Sequence, residues 1–177
     1  MTTYRTQSPS QTFQLGYALG RILKAGDVVC LAGDLGAGKT LFTQGIAAGL
    51  GITDEVTSPT FAIIQVYEGQ VCLFHIDLYR LDHPDDLIDI GFEEYINMNG
   101  IAIIEWPDKF SEFLPEQRLW IDFKRGENDS ERLITVQASG LRYRKLYEEL
   151  KQVADSSFGY NKSGVECGDC HVRNVAD

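Results

Sequence analysis

Gly33-Asp34-Leu35-Gly36-Ala37-Gly38-Lys39-Thr40 fits G-x-x-x-x-G-K-[ST] at every fixed position, and its flanks suit the motif as well as its letters do. Before it, Asp27-Val28-Val29-Cys30-Leu31-Ala32 is a short apolar run rich in β-branched residues, the pattern of a buried strand. After it, Leu41 to Leu50 has helical spacing and stops at Gly51, a common helix end. A strand, a glycine-rich turn and a helix are what a phosphate cradle needs. Glycines let backbone N–H groups converge on phosphate oxygens with no Cβ in the way. The helix N-terminus adds unpaired donors and partial positive charge. In such a cradle Gly33, Asp34, Leu35, Gly36, Ala37 and Gly38 surround the phosphates of ATP or ADP. Lys39 reaches the β- and γ-phosphates and the Thr40 hydroxyl sits on Mg²⁺.

Apolar residues make up 44% of the chain and charged residues 24%, as in a soluble globular protein. The 177 residues suffice for one domain with a core of its own. That domain is expected over residues 1–154, with a small, polar, unpatterned and disordered tail from Asp155. No apolar run approaches the roughly 20 residues of a membrane helix. Met1 to Gln7 lacks the apolar stretch of a secretory signal, so a cytoplasmic protein is expected. A net charge of −10 repels phosphate backbones at long range, so any RNA role should run through partner proteins.

Ser8-Pro9-Ser10-Gln11 opens a helix as a capping box, with Leu15, Leu19, Ile22 and Leu23 on one apolar stripe and Ala25-Gly26 at its end. Thr12 on this helix either borders the adenine or packs in the core. Ala62 to Tyr67 and Val71 to Ile76 read as an antiparallel hairpin about Glu68-Gly69-Gln70. Ser58 and Thr60 flank Pro59 on the loop entering it. Their hydroxyls either answer the γ-phosphate or Mg²⁺, as switch loops do, or belong to an ordinary polar turn. Asp77 directly follows the second strand, where a carboxylate that orients Mg²⁺ or water belongs in phosphoryl transfer. Arg80 either offsets charge on the γ-phosphate or pairs with Asp82, Asp85 or Asp86. His75 shares the face of Asp77 and reads as a hydrogen-bonded structural residue.

Pro84 to Ile90 and Gly91 to Ile96 suggest two short helices. Ile101-Ala102-Ile103-Ile104 is the all-apolar run of a central parallel strand and ends in Glu105-Trp106-Pro107. A carboxylate there occupies the Walker-B position, which makes Glu105 a member of the Mg²⁺ shell. Trp106 either packs on the nucleotide side or covers the sheet edge. Arg118 to Lys124 and Arg132 to Ala138 alternate as half-solvated antiparallel strands, and Leu141 to Val153 has helical spacing. The elements add up to an α/β, P-loop NTPase-like three-layer sandwich with a mixed parallel and antiparallel central sheet. Cys30 and Cys72 read as buried, reduced thiols. Cys167, Cys170 and His171 spell C-x-x-C-H, but without an export signal and with too few ligands for structural zinc they read as an accident of the tail.

The phosphate loop, Ser58-Pro59-Thr60-Phe61, His75-Ile76-Asp77-Leu78-Tyr79-Arg80-Leu81 and Ile104-Glu105-Trp106, in this order and spacing, resemble the TsaE (YjeE) family over about residues 8–153. The resemblance implies a small bacterial P-loop ATPase required for threonylcarbamoyladenosine formation in tRNA. It implies binding of ATP and Mg²⁺, slow hydrolysis, and association with a TsaB–TsaD pair that modifies the tRNA. On that likeness Thr40 and Glu105 hold Mg²⁺, Asp77, Glu105 and Lys39 support catalysis, with either Asp77 or Glu105 as the main water-polarising carboxylate, and Ser58 and Thr60 form a switch-like loop. The tail departs from the family pattern. Two other readings share the phosphate loop: a small-metabolite or nucleoside kinase, although no Arg-rich lid is visible, and a nucleotide-gated binding module in which hydrolysis is incidental. A GTPase is disfavoured because Asn161-Lys162-Ser163-Gly164 lacks the guanine-reading Asp.

Overall fold

A computed structural model of the chain describes residues 1–158. Its centre is a seven-stranded sheet formed by β1 (Thr2–Thr6), β2 (Val28–Gly33), β3 (Ile64–Tyr67), β4 (Cys72–Asp77), β5 (Gly100–Glu105), β6 (Arg118–Arg125) and β7 (Arg132–Ser139). The spatial order is β1-β7-β6-β2-β5-β4-β3. The four middle strands β6, β2, β5 and β4 run parallel, and β1, β7 and β3 join antiparallel at the two sides. The expected mixed sheet is therefore present. β2 and β5 carry continuous apolar runs because both of their faces are covered.

One face bears α1 (Pro9–Gly20), α2 (Lys39–Gly49) and α5 (Leu141–Phe158), packed on Val29, Leu31, Ile101, Ile103, Leu119, Ile121 and Phe123. The other bears α3 (Pro84–Asp89), α4 (Phe92–Asn97) and a 3₁₀ turn at Pro107–Phe113, packed on Val28, Cys30, Ile76 and Ile104. That cover shields β6 only in part, Trp120 being packed against it while half-buried. The residues of β6 therefore alternate, with Leu119, Ile121 and Phe123 buried and Arg118, Trp120 and Asp122 half-buried.

Several boundaries differ from the sequence reading. Thr2–Thr6 forms an edge strand on β7, with Tyr4 and Thr6 pointing inward, where the sequence reading assigns no element. α1 ends at Gly20 rather than at Ala25-Gly26, since Ile22 N–H bonds to Leu19 O and tightens the last turn. Ser8 caps the helix as expected, its Oγ accepting from Gln11 N–H. The Gln11 side chain, however, reaches back to Gln7 N–H rather than to Ser8. β3 starts two residues late because Ile63 sits at φ 66°, a strained position for a β-branched residue. Cys72 is half-buried and Cys30 fully buried, and burial pushes the Cys30 thiol up to about 12. α5 continues past Val153 to Phe158, and the tail reading for 159–177, with Cys167, Cys170, His171 and Asn161 to Gly164, lies outside the described residues.

α1 and α2 touch backbone to backbone. Gly16 and Gly20 face Gly45 and Gly49, and a Cβ at Gly45 would come within 2.1 Å of Phe13 O. This contact leaves α2 no room to shift toward α1, which helps fix where the helix after the loop begins. Gly45→Ala is expected to lower stability by about 1–3 kcal/mol through overpacking. Urea unfolding measures it, and an unchanged midpoint would show that the helices do not approach this closely.

Candidate nucleotide site

The site lies where the parallel strands end. Register alone sets Glu105 beside both Leu31 and Asp77, so the last residues of β5 and β4 meet the loop that leaves β2. The loop turns on glycines for two different reasons. Gly33 lies so near β6 that a Cβ would meet Phe123 O at 2.5 Å. Gly38 takes the N-cap of α2 at φ 103° and offers no side-chain cap, so the first amides of the helix are left without a capping side chain.

Lys39 is 4% exposed. Its ammonium donates to Gly33 O at 2.7 Å and Asp34 O at 3.0 Å, and lies 4.0 Å from the centre of the Trp106 ring. Burial lowers its pKa from the ordinary value, and the nearby Glu105, Asp77 and Asp34 charges offset part of that. Thr40 Oγ1 donates to Glu105 Oε1 at 3.1 Å, and His75 Nε2 stands 2.9 Å from the same oxygen. His75 is wholly buried, its Nδ1 has no partner among the described residues, and its hydrogen bond agrees with the structural reading of this residue. As the Nε2–H tautomer it donates to Glu105 and fixes the carboxylate toward Thr40.

Asp77 is held on both oxygens. Oδ2 accepts from Thr60 Oγ1 at 2.6 Å and Oδ1 from Tyr79 N–H at 2.9 Å, while Ser58 Oγ lies 2.7 Å from Thr60 Oγ1. The loop through Ser58 and Thr60 is thus tied to the site by hydroxyls. Trp106 adopts a left-handed conformation at φ 60° and packs on the side of the phosphate loop, against Lys39 and the Tyr79 ring. One cleft is lined by Leu35, Gly36, Ala37, Gly38, Lys39, Thr40, Ser58, Thr60, Asp77, Glu105 and Trp106.

Two alternatives resolve differently. Thr12 is 1% exposed, bonded to Thr6 Oγ1 at 2.8 Å behind the loop, so it takes the core-packing role. Arg80 pairs with none of Asp82, Asp85 or Asp86. Its guanidinium lies over the exposed Phe61 ring at 5.7 Å, while Asp82 is taken by Lys109 at 3.1 Å.

The residues suit Mg²⁺ bound along with a nucleotide. Two buried carboxylates and a hydroxyl converge beside the loop, a set of hard oxygen donors. No group of three or more His, Cys, Asp or Glu forms a metal cage among the described residues. Mg²⁺ commonly takes one or two protein oxygens and completes its shell from phosphate and water.

Lys39→Met tests the burial of the ammonium. With its folded pKa below the ordinary 10.5, the unfolded chain binds more protons in the interval beneath 10.5, and wild-type stability rises with pH there. The stability of Lys39→Met relative to wild type should therefore fall as pH climbs toward 10.5. Paired urea midpoints measure this, and a difference independent of pH would contradict it.

A family model described as "Threonylcarbamoyl adenosine biosynthesis protein TsaE" matches residues 6–134. The tRNA threonylcarbamoyladenosine biosynthesis protein TsaE of Bacillus subtilis (strain 168) is 46% identical over 150 residues, covering 84% of this chain and 93% of its own. The protein of the same name from Treponema pallidum (strain Nichols) is 44% identical over 131 residues, covering 74% of this chain and 96% of its own. The crystal structure of Bacillus subtilis YdiB has a TM-score of 0.75 at 42% identity, over 85% of this chain and 93% of that one. The family match runs from the end of β1 into β7 and includes the loop and both carboxylates, so the chain belongs to the TsaE family.

Proposed function

We propose that this chain binds ATP with Mg²⁺ in the loop between β2 and α2, hydrolyses it slowly, and thereby serves threonylcarbamoyladenosine formation in tRNA by acting on a TsaB–TsaD-type complex. The observation that carries the reading is the meeting of Lys39, Thr40, Asp77 and Glu105 at one strand-end cleft. The names of the relatives support the pathway. The net charge of −10 supports a role exerted through proteins, with tRNA met only indirectly. Among the described residues no helix is long and apolar enough to cross a membrane, and the reading places the protein in the cytoplasm.

Each residue has a physical task. The amides of the loop and of the α2 N-terminus receive the phosphates, and Lys39 neutralises the β- and γ-oxygens. Thr40 and Glu105 would hold Mg²⁺, which would supply charge neutralisation for phosphoryl transfer. His75 keeps Glu105 in place. Asp77 orients the water that attacks the γ-phosphorus as the bond to the β,γ-bridging oxygen breaks, giving ADP and phosphate. Trp106 covers the Lys39 ammonium and limits its hydration.

The Ser58–Thr60–Asp77 chain also favours a second reading, in which nucleotide state alone sets partner affinity through the loop. Titration with Mg-ATP and a steady-state phosphate-release assay test the main reading. Lys39→Ala is expected to weaken ATP binding about a hundredfold. Asp77→Asn should keep affinity within a few-fold while kcat drops about a hundredfold. Wild-type protein that fails to bind ATP would overturn the proposal. Full pathway function in Asp77→Asn, despite lost turnover, would select the switch reading.

A further inference from the structure

The outer side of the phosphate loop is held by two arginines to which the sequence reading gives no role. Arg125 and Arg132 stand opposite each other where β6 meets β7. Arg132 Nε donates to Ala37 O at 2.9 Å and its Nη2 to Gly36 O at 3.2 Å. Its Nη1 donates to Asp129 O and Glu131 O at 2.6 and 2.7 Å, which fixes the guanidinium from the hairpin side. Arg125 Nη2 donates to Leu35 O at 3.2 Å. The chain has 26 acidic residues against 16 Lys and Arg, yet neither guanidinium forms an ion pair with a carboxylate among the described residues. Glu131, next to Arg132 in sequence, is instead bound by Arg5 and by Glu127 N–H.

A trans peptide unit points its C=O and its N–H in opposite directions. Holding the Leu35 and Ala37 carbonyls on the arginine side therefore turns the Gly36 and Gly38 N–H groups away from it. Neither of those amides donates to another backbone group among the described residues. The Gly36 carbonyl is held as well, and the opposed Ala37 N–H is the one turned to the loop itself, on Asp34 O at 3.1 Å. The bareness of Gly36 serves the same contact, since a Cβ there would stand 3.1 Å from Arg125 Nη2.

We propose that Arg125 and Arg132 are positioning residues that clamp the loop from outside. They fix the Gly36 and Gly38 amides toward the phosphates before nucleotide arrives, and they place two unpaired positive charges behind it. The proposal rests on the ATP-binding reading and adds residues to it. Part of the ordering that an anion would otherwise have to impose on a glycine-rich loop is then already in place.

The test is titration of wild type, Arg132→Met, Arg132→Lys and Arg125→Met with Mg-ATP and with inorganic tripolyphosphate. It is joined by ¹⁵N relaxation at Gly36 and Gly38 and by urea unfolding. Arg132→Met should raise Kd about tenfold or more and Arg125→Met about threefold, by similar factors for both ligands. Amide order at Gly36 and Gly38 should fall while the urea midpoint changes little. Arg132→Lys keeps the charge without the planar fork and should recover only part of the affinity. Wild-type Kd in folded Arg132→Met, or a lowered urea midpoint with unchanged Kd, would overturn the clamp and leave ATP binding standing. If Arg132→Met does not fold, wild-type Kd in Arg125→Met has the same force. Failure of wild type to bind either ligand would overturn the nucleotide reading and the clamp together.

Discussion

Everything at the site depends on one buried cation. The Lys39 ammonium lies beneath the surface beside two buried carboxylates, with two backbone carbonyls and an indole face as its immediate neighbours. Burying Glu105 and Asp77 without positive charge nearby would be costly. Burying Lys39 alone would be equally so, and burial lowers its pKa from the ordinary value even with those carboxylates beside it. On the proposed reading such a site would gain from an added polyphosphate and its metal, because each would bring the charge that the other side lacks. Removing either partner from such a set is more damaging than never having built it.

The fold brings these charges together by register rather than by loop flexibility. Parallel pairing of β2, β5 and β4 aligns Leu31, Glu105 and Asp77 at one strand end, and the four glycines shared by α1 and α2 fix where the helix after the loop begins. A one-residue slip of β5 would turn Glu105 to the face covered by α3 and α4. The continuous apolar runs of β2 and β5 do not forbid that slip by pattern alone. The Cys72–Gly100 pairing helps forbid it, since a Cβ at Gly100 would come within 2.3 Å of the Phe74 ring.

Much of this was legible in the letters. The phosphate loop, the hairpin, the central apolar strand and the strand-end acids are local signals, each set by a short run of residues and its punctuation. What escaped was set at a distance. Thr2–Thr6 alternates inward and outward only because β7 is there to pair with it, and five polar-looking residues carry little period on their own. Trp106 faces the Lys39 cleft because its backbone turns left-handed, a choice that no side-chain pattern announces. Arg125 and Arg132 look like ordinary solvated strand ends, and nothing in their neighbours shows that they reach residues about ninety positions away. Arg80 shows the reverse error: three acids close in sequence suggest an ion pair, yet an exposed aromatic ring takes the guanidinium.

The acidic surface and the anionic ligand are compatible because they act on different length scales. At physiological salt, charges beyond about 8 Å are largely screened, so a net −10 spread over the surface contributes little inside a half-closed cleft. Within the cleft the dielectric is lower and the nearest groups dominate: Lys39, the open end of α2 and, behind the loop, Arg125 and Arg132. On the proposed reading a triphosphate would lie inside that zone. A folded tRNA is many screening lengths across and would have to lie along the acidic exterior, losing phosphate contacts at each step instead of gaining them. On the proposed reading, the same charge distribution would admit one small polyanion and turn a large one away, with the RNA met through a second protein.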